Sequence, residues 1–306
     1  MRIALLGLGD IAQKAYLPLV TGHAEIVPLL CTRNAQVLAQ FAQQYRIEET
    51  YSDLAELIAA KPDAVMIHSA TSSHFAIATR LLQAGIAVFV DKPISDRLPE
   101  CEQLINLAEQ KNLPFFVGFN RRYAPLYQPA LATKPLQVHY QKHRHNQCAP
   151  ARTFIYDDFI HVVDFVRHVS GVSSLQQCDF QLFQHSTATA LCSVQLQWHY
   201  KDALFSAAMN RMAGSSFERL EYFSQDQHWQ IDNLRQGEYS CHNQRQILGF
   251  DDWQSTLYKR GFVAMLDQFI QLLKTGKTDS AANHAALLTH QLCEKILEKL
   301  PQHLDR

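Results

Sequence analysis

The chain has 306 residues, 47% apolar and 19% charged, which is a globular composition at about twice the usual domain length. Its net charge of −1 offers no field for nucleic acid or anionic lipid, and no run reaches the ~20 apolar residues of a membrane span. Seven scattered cysteines without a CxxC pair, and an N-terminus "MRIALLGLGD" that leads into glycines rather than a cleavage site, predict a cytoplasmic protein.

The first 120 residues alternate apolar strands with helical patterns. "RIALL" is followed by a helix from Asp10, in which Pro18 should end or kink the pattern, and then by "EIVPLL". The helix "AQVLAQFAQQY", a short "EETYS", the helix "DLAELIAA" and the strand "AVMIH" come next. "SHFAIATRLLQAG", "IAVFV", "LPECEQLINLAEQKN" and "PFFVGF" complete the series. Such alternation predicts a doubly wound parallel sheet, a Rossmann fold, over residues 1–120. Beyond it, "LQVHYQKH", "CDFQLFQHS", "ALCSVQLQWHY", "ALFSAAMN", "SFERLEYFS" and "HWQID" read as strands with one covered face. With the helical "DDFIHVVDFVRHVSG", closed by Gly171, and two final helices near 254–274 and 280–299, they predict a second, α+β domain over 121–306 whose sheet has one covered face.

"GLGDIA" joins the first strand to the first helix. Gly7 suits the tight turn and Gly9 the approach of a pyrophosphate, with Asp10, Ile11 and the helix N-terminus beside it; Ala12 replaces the third glycine. The second strand ends in "CTRN" rather than an acidic residue. Arg33 can pair with a 2′-phosphate, with Thr32 and Asn34 bonding the same group, so NADP is preferred over NAD, although a solvated arginine also fits a helix start. "HSATSSH" leaves the fourth strand on the same edge and nominates Ser69, Ala70, Thr71 and His74 for the dinucleotide, while helix capping alone would explain Ser72 or Ser73.

In "FVDKPI" a lysine stands where the fifth strand ends, between Asp91 and Pro93. The proline aims Lys92, and a cis Lys92–Pro93 bond is expected. "YDDFIHVVDF" puts Asp157, His161 and Asp164 at helical spacing, and a histidine held by a carboxylate serves acid–base chemistry. "HRHNQC" has loosely metal-like spacing, but no cysteine pair completes a tetrahedral set, so no metal is expected.

Taken in order, GxGxxA, "TSSH", "FVDKP", "GFNRR" and DxxxHxxD resemble the glucose–fructose oxidoreductase, inositol dehydrogenase and rhizopine-catabolism (Gfo/Idh/MocA) family, nearest its MviM group of virulence-factor oxidoreductases. The resemblance covers essentially the whole chain. It implies a Rossmann domain followed by an α+β domain with an open, mostly antiparallel sheet, an NAD(P)-dependent dehydrogenase acting on the carbinol carbon of a sugar, polyol or sugar acid, and a homodimer or higher homo-oligomer formed through the second sheet. It assigns Lys92 as the catalytic lysine, which steadies the developing oxyanion, His161 as the catalytic histidine, which takes the hydroxyl proton, and Asp157 as its acidic companion, with Asp91, Lys92 and Asn120 near the cofactor. Lys142, Arg144 and Asp158 are candidate substrate contacts; an anionic or phosphorylated polyol would explain the two cations, and a solvated strand end explains them equally well. Asp91 replaces the usual glutamate, Ala70-Thr71-Ser72 replaces Thr-Pro-Asn, and Phe159 stands where many members have glycine. Two other readings fit such a fold. One is a non-catalytic dinucleotide sensor, which loss of Lys92 or His161 would favour. The other is an NAD-dependent glycosidase, whose glycine- and histidine-rich loop "NQCAPARTFIYDD" lacks.

Overall fold

A computed structural model describes residues 1–305. The chain forms two compact units. The first holds Met1–Gly118 and Met265–Leu287, and the second holds Phe119–Ala264 and the chain from Leu288 on. A division at residue 120 into two continuous segments thus omits a C-terminal stretch that returns to the first unit.

In the first unit, strands β1 (Arg2–Leu6), β2 (Val27–Cys31), β3 (Thr50–Tyr51), β4 (Ala64–Ile67), β5 (Ala87–Val90) and β6 (Phe115–Val117) form a sheet in the order 3-2-1-4-5-6. All five pairings are parallel. Every residue of β4 and β5 is buried, as both covered faces of such a sheet require. The helices are α1 (Leu17–Gly22), α2 (Ala35–Tyr45), α3 (Leu54–Ala59), α4 (Thr71–Gln83) and α5 (Leu98–Lys111). The first helical pattern opens as a π-helical turn over Ala12–Tyr16, in which the Leu17 N–H bonds Ala12 O five residues back. Pro18 lacks an N–H for the α register, and the widened turn brings the chain past it into α1. Strand order reverses between β1 and β4, which creates the crevice where such sheets take ligands.

In the second unit, β7 (Gln137–His143), β8 (Gln181–Ser186), β9 (Leu191–Tyr200), β10 (Ala203–Asn210), β11 (Phe217–Ser224), β12 (Gln227–Asp232), β13 (Gln236–Cys241) and β14 (Gln244–Leu248) form one sheet. Its order is 14-13-12-11-7-10-9-8, antiparallel except for β7 beside β10. The open, mostly antiparallel sheet that the family resemblance implies is present. Helix α6 (Ile160–Ser170) ends at Gly171 with φ 68°, and a π-helical turn over Phe154–Phe159 leads into it. Phe165 of α6 packs on Tyr127 and Tyr140 at ring separations of 4.9 and 4.6 Å. Burying that one side chain stabilises the layer by about 1.5–3 kcal/mol.

The final helices are α7 (Phe262–Thr275) and α8 (Ser280–Lys299). The pattern near 254–274 is broken at Gly261, whose φ is 80° and whose added Cβ would lie 2.5 Å from Asn120 O. In the first unit Phe269 of α7 packs 5.3 Å from Phe89 and 5.7 Å from Phe116. Among the described residues, no helix is long and apolar enough to cross a membrane.

Candidate functional site

The carboxyl edge of the first sheet encloses a cavity of about 630 Å³. Gly7, Gly9, Thr32, Arg33, Asn34, Ser69 and Ala70 line it, as the sequence predicts for a dinucleotide site. Gly7 has φ 86°, and a Cβ there would meet Ser69 N at 2.6 Å, so this turn excludes a side chain on two counts. A Cβ at Gly9 would meet no protein atom, so packing does not demand this glycine; close approach of a ligand to the backbone does. Asn34 Oδ1 caps α2 by accepting from the Gln36 and Val37 N–H groups at 3.1 and 3.2 Å. Val37 and Ile77 give the cavity apolar walls suited to an adenine, and Arg33 and Arg80 both open onto it. These residues fit a dinucleotide. Asp10, Ile11 and Thr71 are not among the lining side chains, although they flank those that are.

The strand-end lysine is held by a turn that the sequence anticipates in one respect, since the Lys92–Pro93 peptide is cis. Asp91 Oδ1 accepts a hydrogen bond from the Tyr16 hydroxyl at 3.2 Å, and burial raises the Asp91 carboxyl above its ordinary range. His74, expected at the cofactor, has a different place. Its ring nitrogens lie 2.9 Å from Pro93 O and 3.0 Å from Ser69 O, so the buried imidazole ties the loop after β4 to the lysine turn. His68, which the sequence reading passes over, stacks on Tyr16 at 4.0 Å. Both of its ring nitrogens are buried without a hydrogen-bond partner, and burial pushes its pKa down to about 3.

In the second unit His161 lies at the head of α6, and its Nδ1 is 2.9 Å from Arg121 Nη1. A guanidinium has no acceptor, so Nδ1 accepts and the proton of the neutral ring is on Nε2. Arg121 also grips Glu218 through two bonds of 2.9 and 3.1 Å, with the Tyr140 hydroxyl donating to the same carboxylate. Arg121 and its neighbours hold Glu218 down at about 2 against the opposing effect of burial. Asn120, expected at the cofactor, is instead buried in this network, with its Oδ1 accepting from Arg121 at 3.0 Å and its Nδ2 donating to Arg260 O at 2.8 Å.

The polar stripe read along the helix divides into three environments. Asp157 is exposed. His161 joins the arginine network. Asp164 is buried, gripped by Arg122 through both oxygens and bonded by the Thr289 hydroxyl at 2.9 Å, which makes it a packing anchor. The π-helical turn places Asp158 on the buried side. There it receives Lys142 Nζ, and Arg144 through bonds of 2.8 and 3.2 Å, with Arg211 Nη2 at 3.5 Å. The period-2 burial of β7 selects Val138, Tyr140 and Lys142 for the covered face, and the paired register sets Lys142 opposite Glu218. Arg144 and Lys142 are therefore not the fully solvated strand end that the sequence also allowed. His143 Nδ1 accepts from the Asn210 N–H, and among the described residues no three potential metal ligands gather.

Comparison with known proteins agrees with this geometry. Residues 1–119 match the family model "Oxidoreductase family, NAD-binding Rossmann fold", and 125–242 match "YceM-like, C-terminal domain". "Putative oxidoreductase YceM" of Salmonella typhimurium is 32% identical over 97% of both chains. A Gfo/Idh/MocA family oxidoreductase from Vibrio cholerae superposes with a TM-score of 0.92 at 36% identity, covering 98% of this chain and 99% of that one. The MviM dehydrogenase of Clostridium difficile gives 0.89 at 26% identity, covering 98% and 99%. The chain belongs to the Gfo/Idh/MocA oxidoreductase family, whose Rossmann fold binds NAD.

Proposed function

We propose that the protein is an NADP-preferring dehydrogenase that moves hydride between the nicotinamide and the carbinol carbon of a sugar-like molecule. The observation that carries this reading is the cavity at the strand-order switch point, with its glycine turn and two arginines. Neither Arg33 nor Arg80 has an ion pair or side-chain hydrogen bond among the described residues, and no carboxylate ends β2. Two unpaired guanidiniums at the adenosine end favour a 2′-phosphate over a bare ribose. Among relatives, the myo-inositol 2-dehydrogenase of Thermotoga maritima, 30% identical over 40% of this chain and 37% of its own, supports a polyol-like substrate.

Bound nicotinamide supplies or receives the hydride. Lys92 and His161 are the catalytic residues of this reading. In reduction, an ammonium such as that of Lys92 and an imidazole N–H such as that of His161 Nε2 can each stabilise the charge that grows on the substrate oxygen. In oxidation a proton must leave the hydroxyl. With Nδ1 of His161 engaged by Arg121, the neutral ring has no free lone pair for it, so the Lys92 amine accepts it. This departs from the roles expected from the sequence, where the histidine takes the proton and the lysine steadies the oxyanion. Asp157 orients His161 or a neighbouring hydroxyl. A homo-oligomer through the second sheet, in the cytoplasm, completes the reading: seven free cysteines suit a reducing compartment, and Phe183 on β8 and Ile247 on β14 are exposed at opposite ends of that sheet. Titrating the protein with NADPH and NADH by nicotinamide fluorescence tests the cofactor assignment, and equal affinities would overturn it.

A further inference from the structure

The cations around Asp158 outnumber what the protein itself can neutralise. Lys142, Arg144 and Arg211 converge on this single carboxylate. Lys142 is only 3% exposed, yet Asp158 accepts the one hydrogen bond its ammonium makes, leaving two N–H donors unmatched. Arg211 is also buried, at 6% exposed. Its Nη1 reaches Gln147 O at 3.3 Å, and its Nε is buried with no partner. Asp157 is the next acid whose charge Arg211 feels, and counting it still leaves three cations against two carboxylates. The neighbouring Arg121 and Glu218 cancel one another, while Arg260 adds a further positive charge to the same field. Burial and the Arg121 guanidinium push Lys142 down to about 7 even with Asp158 against it.

Buried donors without acceptors and a charge surplus are each costly, and one group removes both costs: a carboxylate or phosphate. Asp158 is the hub that holds the three cations in place, and Arg144, whose side chain is 36% exposed, gives access from solvent. The link to chemistry is short. Asp158 stands three residues before His161 in the same helical segment, and Lys142 faces Glu218, which Arg121 connects to His161.

We propose that Lys142, Arg144 and Arg211 form an anion subsite and that the substrate is an acidic polyol, a sugar acid or a sugar phosphate, rather than a neutral one. This rests on the dehydrogenase reading for the word substrate, but the subsite itself can be measured without turnover. The protein is first saturated with NADP⁺, so that Arg33 and Arg80 cannot capture the probe. Sorbitol, gluconate, sorbitol 6-phosphate and inorganic phosphate are then titrated by calorimetry. At least one of the two anionic polyols should bind tenfold or more tightly than sorbitol, and which one binds separates carboxylate from phosphate.

Arg144→Gln should erase that preference, Arg144→Lys should restore part of it, and Lys142→Met should act like Arg144→Gln, all with NADP⁺ affinity within a few-fold of the parent. Equal binding of sorbitol and both anionic polyols, no binding of any anion, or an anion preference that survives Arg144→Gln and Lys142→Met would overturn the proposal. Binding of inorganic phosphate that both variants leave unchanged would count against it too. Anion binding that both variants abolish, in a protein that oxidises nothing, would leave the subsite standing and remove the dehydrogenase reading. Turnover of neutral polyols alone would do the reverse.

Discussion

His68 makes the protein sensitive to acid by a calculable amount. Its imidazole is buried under Tyr16 with neither nitrogen hydrogen-bonded, and its pKa falls from 6.5 to about 3. In the folded state the ring stays neutral through mild acid, whereas in the unfolded chain it takes up a proton below its ordinary pKa. The folded value lies below the unfolded one, so stability is full above about pH 6.5 and falls as the pH drops towards 3. Between about pH 7.5 and about pH 5, linkage assigns this one residue a loss of about 2 kcal/mol. His68→Leu removes the titrating group and both orphaned nitrogens while keeping an apolar side chain of similar bulk. It should be neutral or stabilising near neutrality. The measurement is urea unfolding of parent and variant at both pH values. The gap between them should widen by about 2 kcal/mol in acid. Parallel pH profiles would refute the reasoning, because the ring would then titrate alike in both states or be satisfied by a group that moves to it.

Three further outcomes follow from the same side chains. Gly7→Ala forces a Cβ within 2.6 Å of Ser69 N at a positive φ, so it should lower the melting temperature and abolish dinucleotide binding; Gly9→Ala meets no protein atom and should lose the cofactor while keeping the melting temperature. Arg33→Ala and Arg80→Ala should each weaken NADPH binding by about tenfold, the value of a charge-assisted bond at an exposed site, and leave NADH nearly unchanged in the same fluorescence titration. Arg121→Met should free Nδ1 of His161 and leave Glu218 buried without its partner. It should cost about 3–5 kcal/mol in urea unfolding and shift the pH profile of any remaining turnover, where loss of stability alone would leave the profile in place.

The Rossmann half was legible because its signals are local. Buried parallel strands read as short apolar runs, and the glycine turn must fall between a strand and a helix. The hairpin of β13 and β14 was not legible. Its residues are mostly polar and none is buried, so no alternation marks them, and His242 and Asn243 make the turn at positive φ without a glycine. The sheet edge points to His74 and the family resemblance to Asn120 as cofactor neighbours, but neither chain position nor motif says where a side chain points, and both turn to bonds within the protein. Arg80 had a readable signal that was passed over: Ser73, Ile77 and Arg80 recur at helical spacing, and all three face the cavity. The Arg121–Glu218 pair had none, since its members are 97 residues apart and meet only through the sheet.

The central claim is the proposal that the protein is an NADP-dependent dehydrogenase whose turnover needs both Lys92 and His161. It is tested most directly by steady-state oxidation of a panel of polyols and sugar acids with NADP⁺, followed at the reduced-nicotinamide band for the parent, Lys92→Met and His161→Ala. The account predicts turnover by the parent and a loss of about a hundredfold or more in kcat/KM for each variant, as for interactions made chiefly in the transition state. NADP⁺ affinity should stay within a few-fold, and with Lys92→Met the rise of rate with pH should disappear. A parent that binds the dinucleotide yet oxidises nothing, or variants that turn over as well as the parent, would contradict it and favour a dinucleotide sensor.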